Sequence, residues 1–175
     1  MMVKIADNSD IVWLNTLVNG AYRGEFSKKG WTTEADLLDG FRTDAEALKE
    51  MMNEKNSVIL KCMNEEGIII GCVYLQQQKE KLYLGMLTVA PLLQNKGMGK
   101  ELLRAAERYA KEKQCISIVM TVISVRRELI EWYERHGYKQ TGEKKPFHTD
   151  SVKSGSPKMH LEFLVLEKKL KSEIK

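Results

Sequence analysis

A turn with two closely spaced glycines joins a strand-like run to a long helical pattern near the middle of the chain. The run over residues 82–89 is ended by Pro91, which has no amide to donate to a strand ladder. From Gly97 onward, apolar residues recur at the period of a helix. Strands and helices joined in this way pack as layers around a shared core, so the turn favours an α/β fold.

The segments on either side of this turn give the rest of the predicted architecture. The predicted helices begin near Ser9 and Asp10, at Thr33, at Thr43, at Gly97 and at Arg127, with a loop at 25–32. The predicted strands cover residues 57–62, 67–76, 82–89, 116–122, 138–141 and 160–166. Short connections join the first three strands, which predicts an antiparallel meander. We therefore expect a single domain over residues 1–175, with a mixed, mostly antiparallel sheet flanked by helices.

The composition excludes several classes of protein. The 175 residues are 43% hydrophobic and 30% charged, as in ordinary folded domains. The apolar runs are far shorter than the roughly 18 residues that a membrane span needs, and no signal-peptide pattern is found. A net charge of +4, with acidic residues interleaved among basic ones, does not favour nucleic acid. We expect a cytoplasmic protein without membrane or nucleic-acid partners.

The cysteines do not favour a metal or disulfide site. Cys62, Cys72 and Cys115 are widely spaced and lie in apolar surroundings. This pattern is typical of reduced thiols in a core, so we expect no bound metal.

The glycine turn itself is a candidate anion site. A helix that starts there exposes unpaired backbone amides at the positive end of its dipole, and glycines let an anion approach the main chain. The sequence does not match the ATP-binding P-loop, because Gln94 and Glu101 stand where glycine and a hydroxyl are required. It also fails the dinucleotide fingerprint, because Leu102 replaces the third glycine. A turn that only connects a strand to a helix is the alternative.

The wider context resembles the Gcn5-related N-acetyltransferase (GNAT) family. Its signature is a strand that ends in a small apolar-x-Val pattern, then Pro, then Q/R-x-x-G-x-G/A at a helix start. Here residues 87–89 end the strand, Pro91 follows, and residues 94–99 read Gln-Asn-Lys-Gly-Met-Gly. Downstream, residues 132–138 read Trp-Tyr-Glu-Arg-His-Gly-Tyr and resemble the family's Leu-Tyr-Glu-Lys-x-Gly-Phe stretch. The two motifs lie in the family's order and separation.

This resemblance implies a set of residues that bind acetyl-CoA. The main chain of the strand end would pair with the pantetheine arm, where neighbouring strands of the family splay apart. The turn would hold the pyrophosphate. The implied cofactor-binding residues are Leu87, Thr88, Val89, Gln94, Asn95, Lys96, Gly97, Met98, Gly99, Lys100 and Arg126.

Tyr133 matches the family position whose hydroxyl lies near the thioester sulfur, so the resemblance implies that it is the general acid. A packing aromatic is the alternative. The chain departs from the family at Arg126, where Asn often contacts the cofactor. It also departs at Tyr83, where histone-type members carry a general-base Glu, which disfavours a protein-lysine acetyltransferase of that type.

The general base is the least defined part of the site. Glu34 is the first candidate, because the loop around it follows the first helix and this region walls the acceptor site in the family. The alternative is a first-turn helix acid. His148 and Tyr83 are the next candidates. Other aromatic and imidazole side chains have structural alternatives: Trp31 and Phe147 line the acceptor pocket or cover core, and His136 and His160 are structural or surface residues.

The predicted function is transfer of an acetyl group from acetyl-CoA to a primary amine of a small molecule or peptide. The alternative from another class is a non-catalytic module that binds acyl-CoA for regulation or scaffolding. The resemblance also implies pairing as a homodimer, as is common in the family.

Overall fold

The computed structural model describes residues 1–147 and 155–172. The helices are α1 (Ile11–Tyr22), α2 (Gly24–Ser27), α3 (Ala45–Asn53), α4 (Met98–Glu112) and α5 (Arg127–Arg135). The strands are β1 (Met2–Ile5), β2 (Leu38–Asp39), β3 (Ser57–Met63), β4 (Ile69–Gln78), β5 (Lys81–Val89), β6 (Ser117–Ile123), β7 (Lys139–Pro146), β8 (Ser156–Pro157) and β9 (Glu162–Lys169).

Seven of the described strands form one sheet in the order β1-β3-β4-β5-β6-β9-β7, and β2 pairs with β8 in a small separate sheet. Within the larger sheet, the pair β5–β6 is parallel and the other described pairs are antiparallel. The structure thus confirms the predicted fold class, a mixed and mostly antiparallel sheet flanked by helices. The predicted meander of β3, β4 and β5 is also confirmed.

The two parallel strands at the centre of the sheet separate soon after they begin. They pair only from Lys81↔Ser117 to Tyr83↔Val119. Further along, the register of β5 against β4 shifts, and Met86 there has a φ of 52°, as expected for a β-bulge. The edge of β5 beyond the bulge is therefore open toward β6, which makes a wedge in the middle of the sheet.

Helices cover both faces of the sheet. On one face, Leu14 and Val18 of α1 and Leu48 of α3 pack against Ile59 and Tyr74 of the sheet. On the other face, α4 contributes apolar residues to a larger cluster that also contains Ile130 and Tyr133 of α5. Within residues 1–147 and 155–172, no helix has both the length and the apolar character needed to cross a membrane.

The sequence prediction is wrong around Thr33. In place of a helix, the Thr33 hydroxyl accepts a hydrogen bond from the Ala35 amide at 3.0 Å and forms a local turn. The turn is favoured because it carries the Glu34 carboxylate inward to two arginines. The short strands β1, β2 and β8 were not predicted, nor was α2, which overlaps the predicted loop at 25–32.

Candidate active site

Two cavities meet at the wedge between β5 and β6. We call the first, of about 300 Å³, the turn cavity, because the β5–α4 turn lines it. We call the second, of about 270 Å³, the arginine cavity, because Arg23, Arg42 and Arg126 line it. The residues that line both cavities are Tyr22, Leu87, Arg126, Leu129 and Tyr133.

Most of the predicted cofactor-binding residues line the turn cavity. Those that do so are Leu87, Thr88, Val89, Gln94, Asn95, Gly97, Gly99, Lys100 and Arg126. Lys96 is exposed beside the cavity, and the Met98 side chain is buried away from its lining. A contact between the cofactor and each of these residues stays a prediction.

The backbone of the turn presents unpaired donors to this cavity. Gly97 caps α4 with a φ of 85°, a left-handed conformation that glycine adopts without a Cβ penalty. Within the described ranges, the amides of residues 95–100 donate to no acceptor. They lie at the positive end of the dipole of α4, so the turn fits an anion such as a pyrophosphate.

The Gln94 side chain fixes the turn to the neighbouring loop. Its amide oxygen accepts a hydrogen bond from the Thr32 amide at 3.2 Å, and its amide nitrogen donates to the Val89 carbonyl at 3.2 Å. A Cβ at Gly30 would lie 2.6 Å from the Gln94 oxygen, so a larger residue there would require the Gln94 side chain to move. Gln94 thus acts through its side chain as well as through its backbone.

Gly99 allows the start of α4 to pack against α5. A Cβ at this position would lie 3.0 Å and 3.1 Å from two ring carbons of Trp132. Trp132 in turn packs edge-on against Tyr133, with ring centroids 5.1 Å apart. The glycine that opens the anion site therefore also sets the position of Tyr133.

Beyond the β-bulge, the edge of β5 that faces β6 is available for a partner that pairs with it like an added strand. The Ala90 amide donates to the Ile70 carbonyl of β4, so the main chain of the alternate residues Leu87 and Val89 faces the open side. The Leu87 carbonyl accepts a hydrogen bond from the Tyr22 hydroxyl at 2.8 Å. Burial raises the pKa of Tyr22 to about 12, so this hydroxyl remains a donor at neutral pH.

Tyr133 lies where the two cavities join. Its ring is buried between Trp132 and Tyr138, and its hydroxyl has no hydrogen-bond partner in the described part of the chain. Burial strongly raises the pKa of Tyr133, with the nearby Tyr22 as a smaller cause, so the hydroxyl is protonated at neutral pH. A proton donor without an internal acceptor, placed between two cavities, is suited to serve a bound ligand.

Glu34 is buried at the far side of the arginine cavity. One carboxylate oxygen accepts from Arg23 at 3.0 Å and 3.2 Å, and the other accepts from Arg126 at 3.1 Å. Arg126 also donates to the Thr32 hydroxyl at 2.6 Å. Both Glu34 oxygens therefore already accept guanidinium donors, which favours a structural role. Its predicted role as the base stays a prediction.

Most of the other candidate residues line one of the two cavities. Tyr83 and Phe147 line the arginine cavity. Trp31, predicted for the acceptor pocket, lines the turn cavity. His136 also lines the turn cavity and is held by a 2.7 Å hydrogen bond between its Nδ1 and the Trp132 carbonyl. His160 is exposed, and His148 lies outside the described residues.

Sequence reasoning missed several residues that form the site. Tyr22, Arg23, Thr32 and Arg42 all contribute to the cavities or their hydrogen bonds. No local pattern distinguishes them, because Tyr22 ends α1, Arg23 follows it, and Thr32 and Arg42 lie in the segment between α2 and α3. The one available signal is the apolar face of α1, whose last residue is Tyr22.

A splayed pair of parallel strands, followed by a glycine turn with free amides, forms a site that fits an anionic ligand with an extended arm. A model of the acetyltransferase (GNAT) domain family matches residues 26–153, well over half of the chain. The chain belongs to this family, and the predicted resemblance is confirmed.

One curated protein is similar to part of this chain. The uncharacterized protein YdhI of Bacillus subtilis (strain 168) is 31% identical over 77 residues, which are 43% of this chain and 46% of that protein. The chain thus matches less than half of the length of this curated relative.

Similar folds occur among solved structures. The structure of smu.2055 from Streptococcus mutans UA159 is 15% identical, with a TM-score of 0.73, and the match covers 98% of this chain and 100% of that one. The ribosomal-protein-S18-alanine N-acetyltransferase from Escherichia coli is 10% identical, with a TM-score of 0.71 and coverage of 98% and 96%. The yncA protein of Salmonella typhimurium, solved with its cofactor acetyl-CoA, is 19% identical, with a TM-score of 0.69 and coverage of 100% and 96%. At these identities the likeness concerns the fold.

Proposed function

We propose that this protein transfers an acetyl group from acetyl-CoA to a primary amine of a small molecule or peptide by direct attack. Membership of the acetyltransferase (GNAT) family supports the reaction class, and the acetyl-CoA found with the similarly folded yncA protein supports the cosubstrate. The observation that carries the proposal is the junction of the two cavities at Tyr133.

The residues of the turn cavity fit acetyl-CoA. The free amides of residues 95–100 and the dipole of α4 suit the pyrophosphate, and Lys100 adds a positive charge at the cavity wall. The open edge of β5 suits a pantetheine arm that runs as an added strand. Acetyl-CoA supplies the thioester, whose C–S bond breaks as the amine nitrogen forms a C–N bond with the acetyl carbon.

Tyr133 is the proposed general acid. The departing sulfur takes a proton, or a strong hydrogen bond, from the Tyr133 hydroxyl as negative charge develops on it. Because burial raises the pKa of Tyr133, its hydroxyl stays protonated and is suited to donate a hydrogen bond to the developing thiolate. A free main-chain amide on the open edge of β5, near Leu87, is the proposed donor to the thioester carbonyl oxygen.

The amine must be neutral to attack. Amines of the lysine type titrate at about 10, so a proton has to leave before the C–N bond forms. Three arginines and one glutamate line the arginine cavity among the described residues, and this surplus of positive charge favours the neutral form of a bound amine. Glu34 stays a proposed base, with Tyr83 as its alternative, and the ion pairs of Glu34 favour proton loss to water instead.

A screen of primary amines tests this function directly. Purified protein is mixed with acetyl-CoA and each amine, and free thiol release is followed, while calorimetry measures cofactor binding. We expect micromolar-scale binding of acetyl-CoA and turnover with at least one amine class. Binding without turnover on every amine would favour the non-catalytic acyl-CoA module, and no binding at millimolar cofactor would refute the proposal.

Domain organisation, location and association are parts of the same proposal. We propose a single catalytic domain over residues 1–175, which limited proteolysis would test. The free thiols of Cys62, Cys72 and Cys115 favour a reducing compartment such as the cytoplasm, which fractionation would test. The homodimer predicted from the family is tested by sedimentation of the purified chain.

A further inference from the structure

The three arginines that line the arginine cavity differ in their hydrogen-bond partners. Arg23 binds Glu34 and also donates to the carbonyls of Gly40 and Phe41, at 3.4 Å and 3.3 Å. Arg126 binds Glu34 and Thr32. The Arg42 side chain makes neither a hydrogen bond nor an ion pair within the described ranges, although it lines the same cavity. Its guanidinium therefore carries donors and a charge that no acceptor among the described residues satisfies.

Arg42 is nevertheless held in position by its neighbours. The Asn19 side chain accepts hydrogen bonds from the amides of Arg42 and Thr43, at 2.7 Å and 3.1 Å, and donates to the Thr43 carbonyl at 3.0 Å. The guanidinium lies over the Tyr22 ring, 5.2 Å from its centroid. The backbone and the charged end of Arg42 are thus both ordered before a ligand arrives, which reduces the entropy that binding would cost.

The charges of the cavity discriminate among amines. Among the described residues, three arginines and one glutamate line the cavity, and Glu128 lies 3.8 Å from Arg126, so a simple alkylammonium ion would still enter a region of net positive charge. An amine that also carries an oxyanion gives the Arg42 side chain the acceptor that the described part of the chain does not supply. A planar guanidinium binds a carboxylate through two parallel hydrogen bonds, which makes it selective as well as strong.

We propose that Arg42 binds the oxyanion of the acceptor, and that the acceptor is a small amino acid or a related amine bearing a carboxylate. This inference rests on the proposed function and names the substrate class of the same site. The cavity, of about 270 Å³, has the size of a small-molecule site. Arg42 stacks on Tyr22, and both Tyr22 and Tyr133 line the junction of the two cavities, so an acceptor bound at Arg42 lies in the cavity that opens at this junction.

Matched pairs of substrates test the proposal. Amino acids in which a graded number of carbons separates the amine from the carboxylate are each compared with their own primary amide, by thiol release with acetyl-CoA. An aminophosphonate series forms a second arm, which distinguishes a carboxylate from another oxyanion. We expect wild type to favour the best acid over its amide by about tenfold to a hundredfold in kcat/KM.

Two substitutions at Arg42 test whether its guanidinium causes the preference for acids over amides. Arg42→Gln should remove the preference by raising KM for the acid far more than KM for its amide, while KM for acetyl-CoA changes little. Arg42→Lys keeps the charge without the planar fork and should retain part of the preference. Arg108→Gln removes an equal charge from the exposed side of α4, away from both cavities, and should leave the preference intact.

The failures of the two proposals are distinguishable. Turnover with equal rates for acids and amides, or a preference that survives in Arg42→Gln, would overturn the role of Arg42 alone. No thiol release with any amine would overturn the proposed function. Calorimetry of N-acetylated amino acids with the CoA-bound protein then still tests Arg42, because binding should weaken by about tenfold or more in Arg42→Gln.

Discussion

The turn cavity and the arginine cavity meet at Tyr133, but different kinds of groups line them. In the turn cavity, the donors are backbone amides of consecutive residues, 95–100, at the start of one helix. In the arginine cavity, the charged groups are side chains from α1, from the start of α5 and from the irregular segment before α3. The first depends on the local path of the main chain, whereas the second depends on long-range contacts.

This difference indicates which part of the site is sensitive to single substitutions. Backbone donors are unaffected by most substitutions, provided that the glycines keep the turn in shape. The charged wall changes with any one of its side chains, because each arginine there is balanced by Glu34 or is left for a ligand. We therefore expect cofactor binding to be lost by blocking the turn, and acceptor binding to be altered by single charges.

Blocking the turn should have the largest effect. Gly99→Glu places a carboxylate against Trp132 in the turn cavity, so it should abolish acetyl-CoA binding and the rise in melting temperature that the cofactor produces. Calorimetry and thermal unfolding measure both. Gly99→Gln has nearly the same bulk without the charge and separates repulsion from crowding. Unchanged affinity in the Glu variant would mean that the turn is only a connector.

Removing Glu34 should affect stability more than chemistry. Glu34→Gln removes the carboxylate that the buried charges of Arg23 and Arg126 share, so the free energy of unfolding should fall by about 3 kcal/mol. Denaturant titration measures it. Glu25→Gln, whose carboxylate pairs with Lys28 at the surface, should change little. If Glu34→Gln keeps the wild-type stability but its rate no longer falls at low pH, Glu34 would instead be identified as the base.

Tyr133→Phe tests the junction of the cavities. The ring and its burial remain, so stability and KM for acetyl-CoA should be nearly unchanged, while kcat falls. Removal of a general acid typically lowers the rate by about 10² to 10⁴. Because a thiolate leaves readily, we expect kcat to fall by about a hundredfold.

Tyr138→Phe is the matched control for that variant. Tyr138 packs against Tyr133 but lines neither cavity, and its buried hydroxyl has no partner among the described residues. Its loss should leave kcat at the wild-type value. Equal thiol release by Tyr133→Phe and wild type would mean that Tyr133 only packs.

Reversing the charge at Lys100 should give the smallest effect. Lys100 is exposed at the wall of the turn cavity, so Lys100→Glu should weaken acetyl-CoA binding by only about fivefold, and less at high salt. Arg108→Glu on the same helix should have no effect on the affinity. A loss as large as that of Gly99→Glu would show that side chains, rather than the backbone, dominate this cavity.

Much of the fold could be predicted from local patterns. The meander of β3 to β5, the helix α4 and the cap of α5 at Gly137, which has a φ of 92°, follow from strand composition, helical periodicity and a glycine at the helix end. The family followed from two motifs and is confirmed. The segment around Thr33 was predicted wrongly, because a good capping residue there forms a turn once Glu34 is drawn to two distant arginines.

The sequence by itself determined the turn and its free amides. Their positions depend on glycines and on the start of one helix, and both are local properties of consecutive residues. Only the tertiary structure decided the arrangement of Arg23, Glu34, Arg42 and Arg126. A charge can be buried only where another charge or a hydrogen bond balances it, and which residues do so depends on how α1 and α5 meet across the splayed strands.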